Sequence, residues 1–194
     1  MSSRRIFDLL ILASAIAVCV QTASAADEKS IKRFTEAIIK LSPTVDIDEA
    51  EQVSVTAHHT ARQLAHDYRV VGPPPFQNFL IHMGMRKKGY CWHWSQDIGM
   101  RLKELKLNTL ELHWGASDEG TRLESNCIVV TARGQAFNEG YIIDAWRMAG
   151  RLCWWPVSKD STFLWKENMG LTAWLQDYGQ QKKADETTTQ TASQ

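Results

Sequence analysis

The hydrophobic pattern of this sequence changes its period once, near residue 107, and this change decides the fold class. Before that point, apolar residues recur every three or four positions, as in helices that bury one face. The helical stretches are 27–41, 47–68, 76–83 and 91–106. After that point, short runs typical of strands occur at 109–114, 127–132, 141–146 and 152–157. Helices followed by consecutive strands predict an α+β domain in which the N-terminal helices pack on an antiparallel sheet.

Residues 72–75, Gly-Pro-Pro-Pro, interrupt the helical part of the chain. Proline lacks an amide donor and disfavours helical geometry in the residue before it, so this segment is predicted to be an extended or turn linker inside the domain. The tail 179–194 contains no apolar side chain larger than alanine and is predicted to be disordered. A single domain over 26–178 remains.

The first 25 residues have the features of a secretory signal peptide. Arg4 and Arg5 precede the apolar run 9–20, and Ala23-Ser24-Ala25 is a small-residue cleavage site. The run is short for a membrane span. We therefore expect a mature chain that begins at Ala26 and resides in a bacterial periplasm or outside the cell.

Cys19 offers an alternative, lipid-anchored form of export. The residue before it is Val18, where a lipoprotein signal carries a small residue, and this argues against acylation. No later segment has the length and apolar character of a membrane span. After leader cleavage we expect no association with a membrane.

Composition argues against a nucleic-acid-binding protein and for a packed interior. Basic and acidic residues number 22 each, and the chain contains eight tryptophans. His59 and His66 lack a thiol or carboxylate at ligand spacing, so no metal site is predicted. Three cysteines follow the leader, and an odd number in an oxidising compartment leaves at least one thiol unpaired.

Cys91 is the strongest candidate for a nucleophile. It opens a predicted helix, where free backbone amides and the positive end of the helix dipole stabilise a thiolate. The backbone N–H of such a residue also donates to an oxyanion in acyl transfer. The alternative is a cysteine that merely packs in the core.

A histidine and an aspartate follow Cys91 in the order of a thiol triad. His113 lies on the first predicted strand and Asp144 on the third. The imidazole would serve as base to the thiol, and the carboxylate would orient the imidazole. The alternatives are a strand-edge position for His113 and a surface position for Asp144.

Other residues would complete such a site. Gln77 and Asn78 are candidates for the second oxyanion donor, although either amide equally suits a loop cap. Four tryptophans near the predicted site suit a hydrophobic cleft for an acyl substrate, with burial in the core as the alternative. They are Trp92, Trp94, Trp114 and Trp146. Cys127 and Cys153 either pack as small apolar residues or pair in a disulfide.

Three segments resemble the core motifs of transglutaminase-like proteins in the papain-like cysteine-protease superfamily. They are Gly89-Tyr90-Cys91-Trp92, the strand 126–130 (Asn-Cys-Ile-Val-Val) and the segment 140–146 (Gly-Tyr-Ile-Ile-Asp-Ala-Trp). The resemblance covers residues 85–147, about a third of the chain. It implies a papain-like core with Cys91 as nucleophile and Asp144 as the orienting acid.

The chain departs from that family at the catalytic base. The family's histidine stands at the start of the middle strand, where this sequence has Ser125-Asn126. If the first two strands form a hairpin, His113 lies near Asn126 and supplies the base from the neighbouring strand. Otherwise the triad is incomplete.

Two functions therefore stay open, with a secreted structural domain as a weaker third. One is a thiol-dependent acyltransferase or amide or peptide hydrolase that needs no cofactor. The other is a catalytically silent module that binds a peptide or a partner on the same fold. Cell-wall peptides, protein side chains and small amides are all accessible substrates in the inferred compartment.

Overall fold

The computed structural model describes residues 25–178. The predicted leader, except its last residue, and the predicted disordered tail lie outside the described residues. Five α-helices, two short 3₁₀ helices and five strands make up this part of the chain. The helices are α1 (25–39), α2 (Ile47–Asp67), α3 (Pro74–His82), α4 (Cys91–Lys103) and α5 (169–178). The strands are β1 (Leu110–Ser117), β2 (Ser125–Ala132), β3 (Tyr141–Asp144), β4 (Cys153–Pro156) and β5 (Lys166–Glu167).

The predicted α+β class is confirmed. The strands form one antiparallel sheet in the order β4-β3-β2-β1-β5, so β2 lies at its centre. No helix within residues 25–178 is long and apolar enough to cross a bilayer.

The prediction of an extended or turn linker over 72–75 was wrong in its second half. Pro73 caps α3 in an extended conformation, and Pro74 and Pro75 are the first residues of the helix. A proline at the start of a helix loses nothing, because its missing N–H would have had no partner inside the helix. The prolines therefore begin α3 instead of delaying it.

The sheet has two unlike faces because neighbouring residues on a strand point to opposite sides. Alternate residues of β2, among them Ile128 and Val130, face the helices and join the main core. α4 lies directly on this face, where a Cβ on Gly99 would stand 2.9 Å from the side chain of Ile128. Cys127 and Val129 face the other way, into a smaller apolar cluster with Ile142, Val157, Phe137, Trp155 and Trp165.

Gly150 closes the turn after β3 against α2, and we expect its replacement to be costly. Its φ is +96°, and a Cβ there would lie 2.3 Å from the Cβ of Ala65. Gly134 is a matched control, since its φ is +75° but no atom lies within 4 Å of the corresponding Cβ. Both alanine variants pay about 1–2 kcal/mol for left-handed backbone. Gly150→Ala must also push α2 away, at a further cost of about 1–3 kcal/mol.

Urea denaturation of the two variants measures this difference. A larger fall in the free energy of unfolding for Gly150→Ala than for Gly134→Ala is expected. Equal losses would contradict the described packing of the turn on α2.

Candidate functional site

Cys91 is the first residue of α4 and is partly buried. Its Sγ lies 3.6 Å from the carbonyl oxygen of Glu124 and 3.8 Å from Nδ2 of Asn126. The thiol therefore lies at the loop end of the β1–β2 hairpin, beside the start of β2. This is the strand that the resemblance places opposite the nucleophile.

Asn126 presents an amide to the thiol, and its orientation is fixed by Trp114. The indole Nε1 of Trp114 can only donate, and it lies 2.7 Å from Oδ1 of Asn126. Nδ2 is then the group that faces the sulfur, and it also donates to Oε1 of Glu124 at 3.0 Å. A carboxamide in this position accepts no proton.

The surroundings of Cys91 do not favour the thiolate form of its side chain. Burial raises its pKa above the ordinary value, and the hydrogen bonds from Asn126 and from the backbone lower it by less. The negative charge of Asp144 adds to the rise. The thiolate that the helix terminus was expected to favour is thus disfavoured by desolvation.

The expected pair of Cys91 and His113 is not formed. Trp114 faces the helices, so His113 points to the other side of the sheet, as does its register partner Val129. There both ring nitrogens are engaged, Nδ1 with Glu167 at 2.7 Å and Nε2 with Oγ1 of Thr131 at 2.9 Å. His113 therefore links β1 to β5 and forms no hydrogen bond with the thiol of Cys91.

Asp144 is buried and paired, but with an arginine. Its carboxylate accepts from Nε of Arg147 at 2.8 Å and from the Arg147 backbone N–H at 3.2 Å. The same guanidinium donates to Asp160 and stacks over Trp155, 4.4 Å from the ring centroid. Burial raises the pKa of Asp144, and Arg147 opposes that rise. No histidine is oriented by this carboxylate in the described part of the chain.

Gln77 supports the turn before Cys91 and does not supply an oxyanion donor. Its Nε2 donates to the carbonyls of Tyr68 at 3.1 Å and Lys88 at 3.2 Å, which occupies both amide hydrogens. A Cβ on Gly89, where φ is +134°, would stand 2.7 Å from Cγ of Gln77. Asn78 forms no hydrogen bond with Sγ of Cys91, and its own Oδ1 is buried without a partner in the described residues.

Beside Cys91 lies a pocket of about 370 Å³. Two of the four expected tryptophans, Trp92 and Trp114, line it. The other two are core residues instead. Trp94 donates to the carbonyl of Gly89 at 3.1 Å, and Trp146 packs against the main core. The remaining lining residues are Gln96, Glu124, Asn126, Leu171 and Trp174.

Trp174 was missed because α5 was not predicted. A signal for that helix was present, since Leu171, Trp174, Leu175 and Tyr178 are spaced three and four apart. Trp174 stands nearly perpendicular to Trp114, with 6.2 Å between ring centroids. The pocket is therefore lined by three indole rings, those of Trp92, Trp114 and Trp174.

Glu124 gives this pocket a negative charge. Its carboxylate accepts from Nδ2 of Asn126 and from the backbone N–H of Gly120, and these hydrogen bonds lower its pKa. No lysine or arginine lines the pocket, and Glu124 forms no ion pair within residues 25–178. The described residues therefore place no cation against this charge.

The structure contains no disulfide or metal cluster in its described part. Cys91, Cys127 and Cys153 are all free thiols, and of the last two Cys127 packs in the smaller apolar cluster whereas Cys153 is half-buried. No group of three or more histidine, cysteine, aspartate or glutamate side chains in 25–178 is arranged to hold a metal ion. Comparison with family models, curated proteins and solved structures finds no match to this chain.

The turn that presents Cys91 depends on a neutral His93. Nδ1 of His93 accepts the backbone N–H groups of Gly89 and Tyr90 at 3.3 and 3.2 Å. Burial and the charge of Lys88 lower the pKa of His93, and burial lowers that of His58. In the unfolded chain both histidines bind a proton near pH 6.5.

We therefore expect stability to fall as the pH drops from about 7.5 through 6.5, where the unfolded state binds more protons than the folded state. His93→Asn keeps an acceptor near the two amides and removes its share of this slope. His82→Asn, at an exposed position at the end of α3, serves as the control. Thermal unfolding from pH 5 to 8 measures the slopes, and an unchanged slope in His93→Asn would contradict the assigned role.

Proposed function

We propose that this chain is an exported binding module with a transglutaminase-like arrangement that has lost its catalytic base. Its pocket beside Cys91 holds a group of a peptide or partner, and no bond is broken. The observation that carries this proposal is the carboxamide of Asn126 opposite the thiol. We favour this alternative over the thiol-dependent hydrolase because the hydrolase requires a proton acceptor at that place.

No histidine supplies the missing acceptor from elsewhere in the fold. All six histidines of the chain lie within the described residues, and none is hydrogen-bonded to Sγ of Cys91. His93, the nearest in sequence, uses Nδ1 to accept two backbone amides. Glu124 is a poor base because its lowered pKa favours the ionised form over the protonated one.

The pocket suits a cationic group on an apolar stem. Its volume is within the usual range of about 300–1,000 Å³ for small-ligand sites. Indole faces attract alkylammonium groups, and the unpaired carboxylate of Glu124 adds charge complementarity. A primary amine on a peptide fits this chemistry. Cell-wall peptides with free amino groups are one accessible source.

A titration with an N-terminally acetylated tripeptide that contains one lysine, and with its Nε-acetylated copy, tests the proposal. Tryptophan fluorescence should report binding of the free amine, with at least tenfold weaker binding of the acetylated copy. Glu124→Gln should weaken binding of the free amine five- to tenfold, whereas Glu51→Gln on the exposed side of α2 should not.

The same samples separate binding from catalysis. Cys91→Ala should bind within twofold of the wild type, and mass spectrometry should recover the peptide intact. Cleavage or acyl-transfer products that disappear in Cys91→Ala would overturn the proposal in favour of the enzyme. Absence of binding at millimolar peptide would overturn it as well.

A further inference from the structure

α3 and the turn after it expose an unusual number of large apolar side chains. Phe76, Phe79 and Met83 are spaced three and four apart and form one outward stripe, and Met85 follows in the turn. Their exposed fractions are 46, 51, 56 and 53%. The two phenyl rings stack on each other at 6.3 Å instead of packing into the core. The opposite side of α3 buries Leu80 with Gln77, so the helix is seated and its outward stripe is left open.

Positive charge surrounds this stripe. The guanidinium of Arg86 donates to the carbonyl of Arg69 at 3.1 Å and to that of Met85 at 2.8 Å, which places Arg86 between Arg69 and the end of the stripe. Lys87 follows directly and is exposed. Neither Arg69, Arg86 nor Lys87 forms an ion pair within the described chain, in contrast to Lys88, which pairs with Asp97.

The segment also lacks negative charge. No aspartate or glutamate occurs from Arg69 to Gln96, although the whole chain has as many acids as bases. The exposed part of the segment 69–88 is thus both apolar and cationic. This combination is typical of helices that lie in the interface of an anionic bilayer.

We propose that the stripe of Phe76, Phe79, Met83 and Met85 inserts into the surface of an anionic lipid bilayer while Arg69, Arg86 and Lys87 contact its headgroups. This revises the expectation of no membrane association after export. The proposal places α3 on the membrane surface, and it agrees with the finding that no described helix crosses a membrane. The proposal does not depend on the function of the Cys91 pocket.

A bilayer fits this surface better than a folded partner does. A stable protein interface engages about 20–30 residues on each side. The stripe offers four apolar side chains on one short helix and the turn after it, flanked by cations. A few apolar side chains together with several cations are enough to hold a protein on an anionic membrane, because each cation near the surface contributes separately.

Photolabelling of the full chain identifies which residues contact the bilayer. It therefore separates binding by the stripe from any binding by the N-terminal apolar run. Vesicles of phosphatidylcholine, with or without one third phosphatidylglycerol, carry a trace of lipid with a diazirine on the acyl chain. After irradiation, we expect labelled peptides from 74–88 with phosphatidylglycerol vesicles and at least tenfold less label there with phosphatidylcholine alone.

Matched variants test the two halves of the surface. Phe76→Ser with Phe79→Ser should reduce labelling of 74–88 at least tenfold, and Arg69→Gln with Lys87→Gln should reduce it by an order of magnitude. Leu123→Ser with Leu164→Ser removes apolar side chains that are 76 and 84% exposed elsewhere and should leave labelling unchanged. Arg122→Gln is the corresponding charge control. Thermal unfolding confirms that each variant is folded.

Label confined to residues 1–25, or equal labelling of 74–88 on neutral and anionic vesicles, would overturn the proposal. So would unchanged labelling in both double variants. Absent labelling together with capture of soluble polyglutamate by Arg69, Arg86 and Lys87 would overturn it in favour of an acidic protein partner.

Discussion

The hydrogen bond from Trp114 to Asn126 is the interaction on which the candidate site depends. It fixes Oδ1 toward the indole and therefore Nδ2 toward both Cys91 and Glu124. The side chain of Asn126 thereby occupies the position where a base would lie. It also donates a hydrogen bond to Glu124, whose carboxylate gives the pocket its charge. The proposed binding function follows from this arrangement, because general-base catalysis needs a proton acceptor at this position.

The contacts that position Cys91 at the start of α4 do not involve its thiol. Gln77 donates to the carbonyls of Tyr68 and Lys88. Nδ1 of His93 accepts the backbone N–H groups of the two residues that precede α4. These contacts bury several polar groups with partners, which is the usual requirement for a defined backbone. A fold that keeps this turn intact while lacking the base retains a well-shaped cleft, and the proposed binding function uses that shape.

The sequence pattern was sufficient for the fold class, because a single change of hydrophobic period separates the helices from the sheet. It also contained the correct side for His113: Leu110, Leu112 and Trp114 alternate toward the core, which sends His113 to the opposite face. The partner of His113 was beyond local reasoning, because Glu167 contacts it from 54 positions away. The partner of Asp144 was not, because Arg147 follows it by only three positions in the sequence. Long-range pairing of charges is set by topology, and spacing alone does not encode it.

The rate of alkylation of Cys91 by iodoacetamide between pH 4 and 10, located by peptide mass, tests the central claim most directly. A buried thiol that faces an amide should react with a single rise whose midpoint lies above the ordinary cysteine pKa of about 8.5. A plateau of reactivity that persists below pH 7 would reveal a thiolate held by a nearby cation. That result would contradict the account and restore the catalytic interpretation of the site.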